Sequence, residues 1–371
     1  MKSVSKKPAV VFVSNRFGYG PTVTMFHVIR EIIKRSDAKL IFAGSGICKE
    51  AFDQTLKMRV DSLDIDERDQ KILTTFLSDI RRSEKEVRVV SSLNRIAVKS
   101  ADSLGIPSAL IDCLAWMWKT VPEGYEKADM YFANMLGRSS IGDMTDVPLI
   151  LGPIIESILP KNVLLINIGG ASNHHISGIS KNHLLLLGRL LNQLNIPDNL
   201  SVFVAGGRQS VDFLKKIVKR PQFTIESLSQ VEYSHIQGRS AKIVTLAGMN
   251  SVFTSFAHHI PTEFLLPQMY SQWALTKILN KGGYTKAKHW DDYMSIPEGI
   301  DDMSEKEAML VIEDLSALAL KDDSIFKSIL TDLQIGIDRE TDISGENRCI
   351  GDFGIGGEKT IADALIKAWR L

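Results

Sequence analysis

Val163-Leu164-Leu165-Ile166-Asn167-Ile168-Gly169-Gly170 is a near-continuous apolar run closed by two glycines, and a helical period follows over Lys181–Leu194. A short apolar run ending in glycine, then an amphipathic helix, is how a parallel strand buried on both faces reads in sequence. The pattern repeats at once: Ser201–Ala205 meets Gly206-Gly207, with a helix over Ser210–Lys219. Lys242–Thr245, Ser251–Ala257, Glu263–Leu266 and Ser271–Leu279 continue strand, helix, strand, helix. Toward the start the same alternation gives strands at Ala9–Ser14, Lys39–Ala43, Val87–Ser91, Ser108–Asp112 and Met130–Ala133. Helices fall between them at Thr22–Arg35, Asp66–Arg82 and Arg95–Leu104. Such alternation implies an α/β class: two Rossmann-like doubly wound parallel sheets in tandem, facing a cleft.

The break between the sheets falls where Pro148, Gly152, Pro153 and Pro160 cluster. This places an N-terminal domain at 1–150, a linker at 151–161 and a C-terminal domain at 162–358. Residues 359–371 form a last helix whose apolar face (Ile361, Ala364, Leu365, Ala368) suits packing back on the N-terminal domain. Lys286–Asp302 is polar, aromatic and broken by Pro and Gly, and reads as a surface loop.

At 371 residues the chain exceeds one ordinary core. Lysines plus arginines and aspartates plus glutamates both number 44, so no net field draws a polyanion and nucleic acid is not an expected partner. The three cysteines (Cys48, Cys113, Cys349) form no CxxC pair, which fits a reducing compartment and argues against a thiolate metal site. With no signal-peptide pattern and no spanning apolar run, the chain reads as soluble and cytoplasmic, a monomer or homodimer.

Chemistry in a doubly wound sheet sits at the carboxyl ends of strands, beside helix N-termini. Four glycine-rich loops fall there. The first, Asn15-Arg16-Phe17-Gly18-Tyr19-Gly20-Pro21, offers Asn15, Arg16, Tyr19 and Gly20 as candidate ligand contacts. In the second, Gly169-Gly170-Ala171-Ser172-Asn173-His174-His175, Gly169, Gly170 and Asn173 are candidates. Its adjacent histidines have no nearby carboxylate and no reason to converge on one ion. The third adds Gly207. The fourth, Gly248-Met249-Asn250-Ser251, opens a helix with Asn250 or Ser251 at its N-cap, where backbone N–H groups suit a phosphate. Beyond Leu266-Pro267, Ser271 and Gln272 begin the next helix, and a planar amide can hold vicinal hydroxyls. No DxD ends a strand, since Asp64-Ile65-Asp66 lies in a charged stretch before a helix. The expected chemistry therefore uses no metal and no cofactor.

At these last residues the chain resembles inverting GT-B glycosyltransferases. Gly248-Met249-Asn250-Ser251, His259-Ile260-Pro261, Leu266-Pro267 and Ser271-Gln272 are similar to that family's donor-site signature. Leu151-Gly152-Pro153-Ile154 is similar to its interdomain joint. The resemblance implies a nucleoside diphosphate sugar as co-substrate, a UDP-sugar, bound by the C-terminal half, and a small-molecule acceptor bound by the other. Departures stand at Leu246, Thr254 and Ser271, where related enzymes carry histidine, glutamate and an acidic residue, and at Tyr19 and Pro21 near the missing N-terminal-loop histidine.

The expected base is therefore Asp112, at the carboxyl end of a strand beside Trp116 and Trp118, with Trp116 as a stacking surface. Ile111–Trp118 is similar to the stretch in cytosylglucuronate synthase-like enzymes, which implies an acceptor of the kind used in antibiotic biosynthesis. The expected activity is metal-independent hexosyl transfer to a small polar acceptor. A sugar-nucleotide epimerase and a non-catalytic nucleotide-sugar-binding protein on the same fold are the alternatives.

Overall fold

A computed structural model describes residues 8–16, 19–55, 59–84, 86–139, 142–154, 160–170, 172–173, 178–340 and 342–371. The chain divides into two units, Met1–Gly152 with Asp352–Leu371, and Pro153–Gly351.

Unit 1 begins β1 (Ala9–Ser14), α1 (Gly20–Ile33), β2 (Lys39–Gly44), α2 (Gly46–Thr55), β3 (Asp61–Asp64) and α3 (Gln70–Ser83). It continues β4 (Val87–Ser92), α4 (Arg95–Ser103), β5 (Ser108–Asp112), β6 (Met130–Ala133) and β7 (Thr145–Asp146). The strands lie in the order β3-β2-β1-β4-β5-β6-β7, all parallel. The period of two along β1 sends Val10 and Phe12 toward Met25, Phe26 and Ile29 of α1, and Val11 and Val13 toward Leu73, Leu77 and Ala97 on the other face. Both faces are covered, so β1 reads as one apolar run.

Unit 2 runs β8 (Val163–Asn167), β9 (Ser172–Asn173), β10 (Gly178–Ile179), α5 (Lys181–Gln193), β11 (Ser201–Ala205), α6 (Arg208–Ile217), β12 (Phe223–Glu226) and α7 (Gln230–Gly238). Then come β13 (Ser240–Thr245), α8 (Met249–Ala257), β14 (Thr262–Phe264), α9 (Tyr270–Lys281), α10 (Glu305–Lys321), α11 (Asp323–Asp338) and α12 (Ser344–Phe353). Five strands form one parallel sheet in the order β12-β11-β8-β13-β14, while β9 and β10 pair as a small antiparallel ribbon. Lys286–Asp302 is more than the expected surface loop: Trp290 is wholly buried, and its Nε1 donates to Pro267 O at 2.9 Å.

After α12 the chain returns to unit 1. Ile355 bridges Leu149, Gly357 N donates to Leu149 O at 3.1 Å, and α13 (Gly357–Trp369) follows. Its Ile361, Leu365 and Trp369 join the cluster of Phe12, Phe26 and Ile29. Only glycine fits at 357, because a Cβ there would stand 2.1 Å from Pro148 O.

A polar cluster lies within unit 2. Lys242 Nζ donates to Gly336 O (2.7 Å), Ile337 O (3.0 Å) and Arg339 O (2.7 Å), serving as a cation on the carbonyls that end α11. Beside it, Glu346 Oε1 accepts from Thr262 N at 3.1 Å. Burial, with Glu263 and Asp342 adding to it against the Thr262 bond and Lys242, pushes the Glu346 carboxyl up to about 8 from 4.5. A carboxyl raised in the fold contributes stability that is complete below 4.5 and is lost as the pH rises to about 8. Glu346→Gln keeps the acceptor for Thr262 and removes the titration. Unfolding free energy measured in urea is then expected to vary less across that window than in the wild type.

Candidate functional site

In each sheet, successive strands are added first on one side of a starting strand and then on the other. The reversal falls between β1 and β4 in unit 1, and between β8 and β13 in unit 2. The crevice outside the carboxyl ends at that reversal is where open α/β sheets bind ligands.

In unit 2 the two ends are Asn167 and Thr245, which lie in register. Asn167 is buried, and its amide ties three segments together. Nδ2 donates to Ser251 Oγ at 2.6 Å on α8 and to Tyr233 Oη at 3.1 Å on α7, while Oδ1 accepts from Gly169 N at 3.0 Å. Burial pushes the Tyr233 phenol above its ordinary value, against bonds from Asn167 and Ser251, so it remains a neutral partner. Gly169 turns with a left-handed φ of 62°, and its carbonyl accepts from Gly207 N at 2.9 Å. The β8 and β11 loops are thereby joined, and the N–H of Gly207 is used in doing so. Gly170 is partly exposed beside them; the side chain of Asn173 and the pair His174-His175 lie outside the described residues.

The helix after β13 starts earlier than the sequence implies. Gly248 is the N-cap of α8, with no side-chain cap, and Asn250 and Ser251 sit in its first turn. Among the described residues an added Cβ at Gly248 would meet only Ser251 Oγ, at 3.9 Å, so they leave the helix start open there. Backbone N–H groups of a first turn carry the partial positive charge that suits an anion. After β14 the chain turns through Pro267 into α9, whose second and third residues are Ser271 and Gln272. Gln272 is buried, and its Oε1 accepts from Gln268 N at 2.9 Å. Its carbonyl oxygen thus holds the turn.

Unit 1 is more tightly bound to itself at the equivalent place. Asn15 Nδ2 donates to Leu93 O at 2.9 Å across the reversal. Arg16 is held by two carboxylates, Nε to Glu67 Oε1 at 2.6 Å and Nη2 to Asp66 Oδ1 at 2.5 Å. Glu67 is fully buried and also accepts from Ser45 N and Oγ. Arg16 thus spends Nε and Nη2 on an internal ion pair, which argues against its expected place as a ligand contact. Tyr19 and Gly20 sit at the start of α1, Tyr19 half-buried at the N-cap and Gly20 exposed.

Asp112 is corrected as well. It is 0% exposed, and three donors occupy it: Leu114 N on Oδ1 at 2.8 Å, with Trp118 Nε1 (2.9 Å) and Tyr131 Oη (2.7 Å) on Oδ2. Burial holds the carboxyl above its ordinary value, against the bonds from Tyr131, Leu114 and Trp118. A base must reach its proton directly or through one water. This carboxylate instead organises the 113–118 loop. Trp116 is 1% exposed with Nε1 on Cys113 O at 3.0 Å, a core residue rather than a stacking surface. His27, further along α1, is also buried, and burial followed by the Arg30 charge lowers its imidazole to about 3.

Asn167, Tyr233 and Gln268 were not singled out from sequence. Asn167 did leave a signal, as the one polar side chain within the Val163–Ile168 run. Among the described residues no three His, Cys, Asp or Glu side chains gather as metal ligands would, and no helix is long and apolar enough to cross a membrane.

No protein-family model matches the chain, and no curated protein matches its sequence. Solved structures match along nearly its whole length. A UDP-GlcNAc 2-epimerase from Neisseria meningitidis, bound to UDP-GlcNAc, gives a TM-score of 0.56 at 15% identity over 97% of this chain and 100% of that one. A UDP-glucosyltransferase from Polygonum tinctorium gives 0.55 at 13% over 99% and 100%. MurG from Acinetobacter baumannii gives 0.51 at 14% over 97% and 99%. Identities this low establish architecture, and the architecture is the GT-B glycosyltransferase type, two parallel-sheet α/β domains.

Proposed function

We propose that this chain transfers a sugar from a UDP-sugar to a small polar acceptor, with unit 2 holding the donor and unit 1 the acceptor. The observation that carries the reading is the uncapped start of α8 at the strand reversal of unit 2, tied through Ser251 to Asn167. Two phosphates placed there would meet the first-turn N–H groups of α8, Met249–Ser251, beside Gly248, whose own N–H is given to Leu246 O at 2.7 Å. Those groups would also stabilise the charge that grows on the departing diphosphate as the glycosidic bond breaks. Gly169, Gly170, Asn173 and Gly207 would line the neighbouring loops, and Ser271 with Gln272 Nε2 would face the sugar. On unit 1, Asn15, Tyr19 and Gly20 would border the acceptor. Asp112, Trp116 and Arg16 are given no such role, so no acceptor class is drawn from the 111–118 segment.

The reading predicts that UDP binds without a divalent metal. At a hundredfold excess over Kd a ligand of the native state adds about 2.7 kcal/mol, which for a domain of this size is roughly 5–10 °C in melting temperature. Melting with UDP in the presence of EDTA measures this. A shift that needs magnesium or manganese overturns metal independence, and no shift with any uridine nucleotide overturns the donor site.

A second reading has support of its own, because the epimerase and glucosyltransferase folds match equally well. Product analysis separates the two. Transfer releases one UDP per conjugate formed, whereas epimerisation converts the nucleotide sugar with no acceptor present.

A further inference from the structure

Gln268 lies one residue past Pro267, in the turn between β14 and α9, and no resemblance or motif draws attention to it. Its backbone is fixed on both sides. Its N–H donates to Gln272 Oε1 at 2.9 Å, and the preceding carbonyl, Pro267 O, accepts from Trp290 Nε1 at 2.9 Å. Its side chain is 2% exposed, yet among the described residues neither Oε1 nor Nε2 has a hydrogen-bond partner. That amide reaches toward Gly169, where Nε2 would stand 3.8 Å from a Cβ if the residue had one. The unpaired amide therefore sits at the β8 loop beside the strand reversal, against backbone that carries no side chain.

An unpaired buried polar group costs about 1–3 kcal/mol. Such a group in a native fold needs an explanation, and a ligand that supplies its partners is one. The chemistry of the amide restricts that ligand. It presents one acceptor and one NH2 donor side by side. A phosphate would satisfy the donor and set its own negative charge against Oε1. Two neighbouring hydroxyls satisfy both, one donating to Oε1 and the other accepting from Nε2.

Resting on the donor reading above, we infer that Gln268 joins Ser271 and Gln272 in recognising the sugar of the donor, and does so through a vicinal pair of hydroxyls. Gln272, whose carbonyl oxygen is already spent on the Gln268 N–H, positions it.

Gln268→Met tests the inference, because methionine has nearly the same length and no polar group. Calorimetry with UDP, UDP-glucose and UDP-N-acetylglucosamine, together with melting of the unliganded protein, gives two independent readouts. UDP affinity is expected to stay within about twofold, while the tighter of the two sugar nucleotides loses about tenfold, the order of one good hydrogen bond. Without ligand the variant is expected to melt higher than the wild type, since it no longer buries an unpaired amide. An unchanged ratio of sugar-nucleotide to UDP affinity overturns the inference. So does an equal loss for all three ligands, which would put the amide on the ribose or the base. Lower stability without ligand, or failure to fold, overturns it too, by showing that the amide already serves the empty protein. If the wild type binds none of the three, the donor reading itself has failed.

Discussion

Asp112→Ala is expected to lower the unfolding free energy of unit 1 by about 3–5 kcal/mol, the size of effect seen when a buried network loses its shared acceptor. The carboxylate is the acceptor for Leu114 N, Trp118 Nε1 and Tyr131 Oη, and alanine leaves all three donors, the Tyr131 hydroxyl buried and the other two partly so, facing an empty space. Recovered desolvation of the charge offsets part of the loss, so the three bonds do not add in full. Asp112→Asn should fall between alanine and the wild type. One amide oxygen replaces two carboxylate oxygens, and the NH2 opposes at least one of the old donors. Urea unfolding measures both variants. Any loss of turnover should follow the folded fraction; a fully folded Asp112→Asn protein with turnover reduced a hundredfold or more would restore the residue as a base.

Asn167→Ala is expected to act on both stability and binding. Its amide joins Gly169 on the β8 loop, Ser251 on α8 and Tyr233 on α7 around one strand end. Removing it leaves a partly buried N–H, a hydroxyl and a phenol to find new partners, a cost of about 2–4 kcal/mol. Ser251 and Gly169 also lose the tie that sets the α8 start against the β8 loop, so UDP affinity should fall by about tenfold or more. Ser251→Ala breaks one of the three bonds and should fall well short of both effects. Equal UDP affinity in Asn167→Ala and the wild type would move the nucleotide away from this strand end.

The sheets were legible because their central strands are buried on both faces and have no polar alternation to confuse them. Ala9–Ser14, Ser108–Asp112 and Ser201–Ala205 carry the bounds read from sequence. Among the strands left unread are β3, with the sequence Asp-Ser-Leu-Asp, and β12, with Phe-Thr-Ile-Glu. Both are edge strands, where one row of backbone groups is unpaired and polar side chains are tolerated. The start of α8 was misplaced because Asn and Ser are good cap residues by type, whereas the cap in use is Gly248. Asp112 was read by its place at a strand end, and sequence does not reveal which donors fold back on a carboxylate. Trp118 and Tyr131, six and nineteen residues away, are what turn it from a candidate base into a structural acceptor. Gln268 was passed over for the opposite reason, since missing partners leave no mark on a sequence.

The return of the chain to unit 1 also orders its synthesis. Unit 2 is one continuous stretch, Pro153–Gly351, whereas unit 1 is split around it. Ile361, Ala362, Leu365, Trp369 and Leu371 complete a cluster whose other buried members lie between Val10 and Ile150. On a ribosome, the first 152 residues must wait with that apolar face uncovered while the next 199 are made, and those can reach their own fold first. The half made first is therefore the half finished last, and the nascent chain is most exposed to chaperones and proteases during that interval.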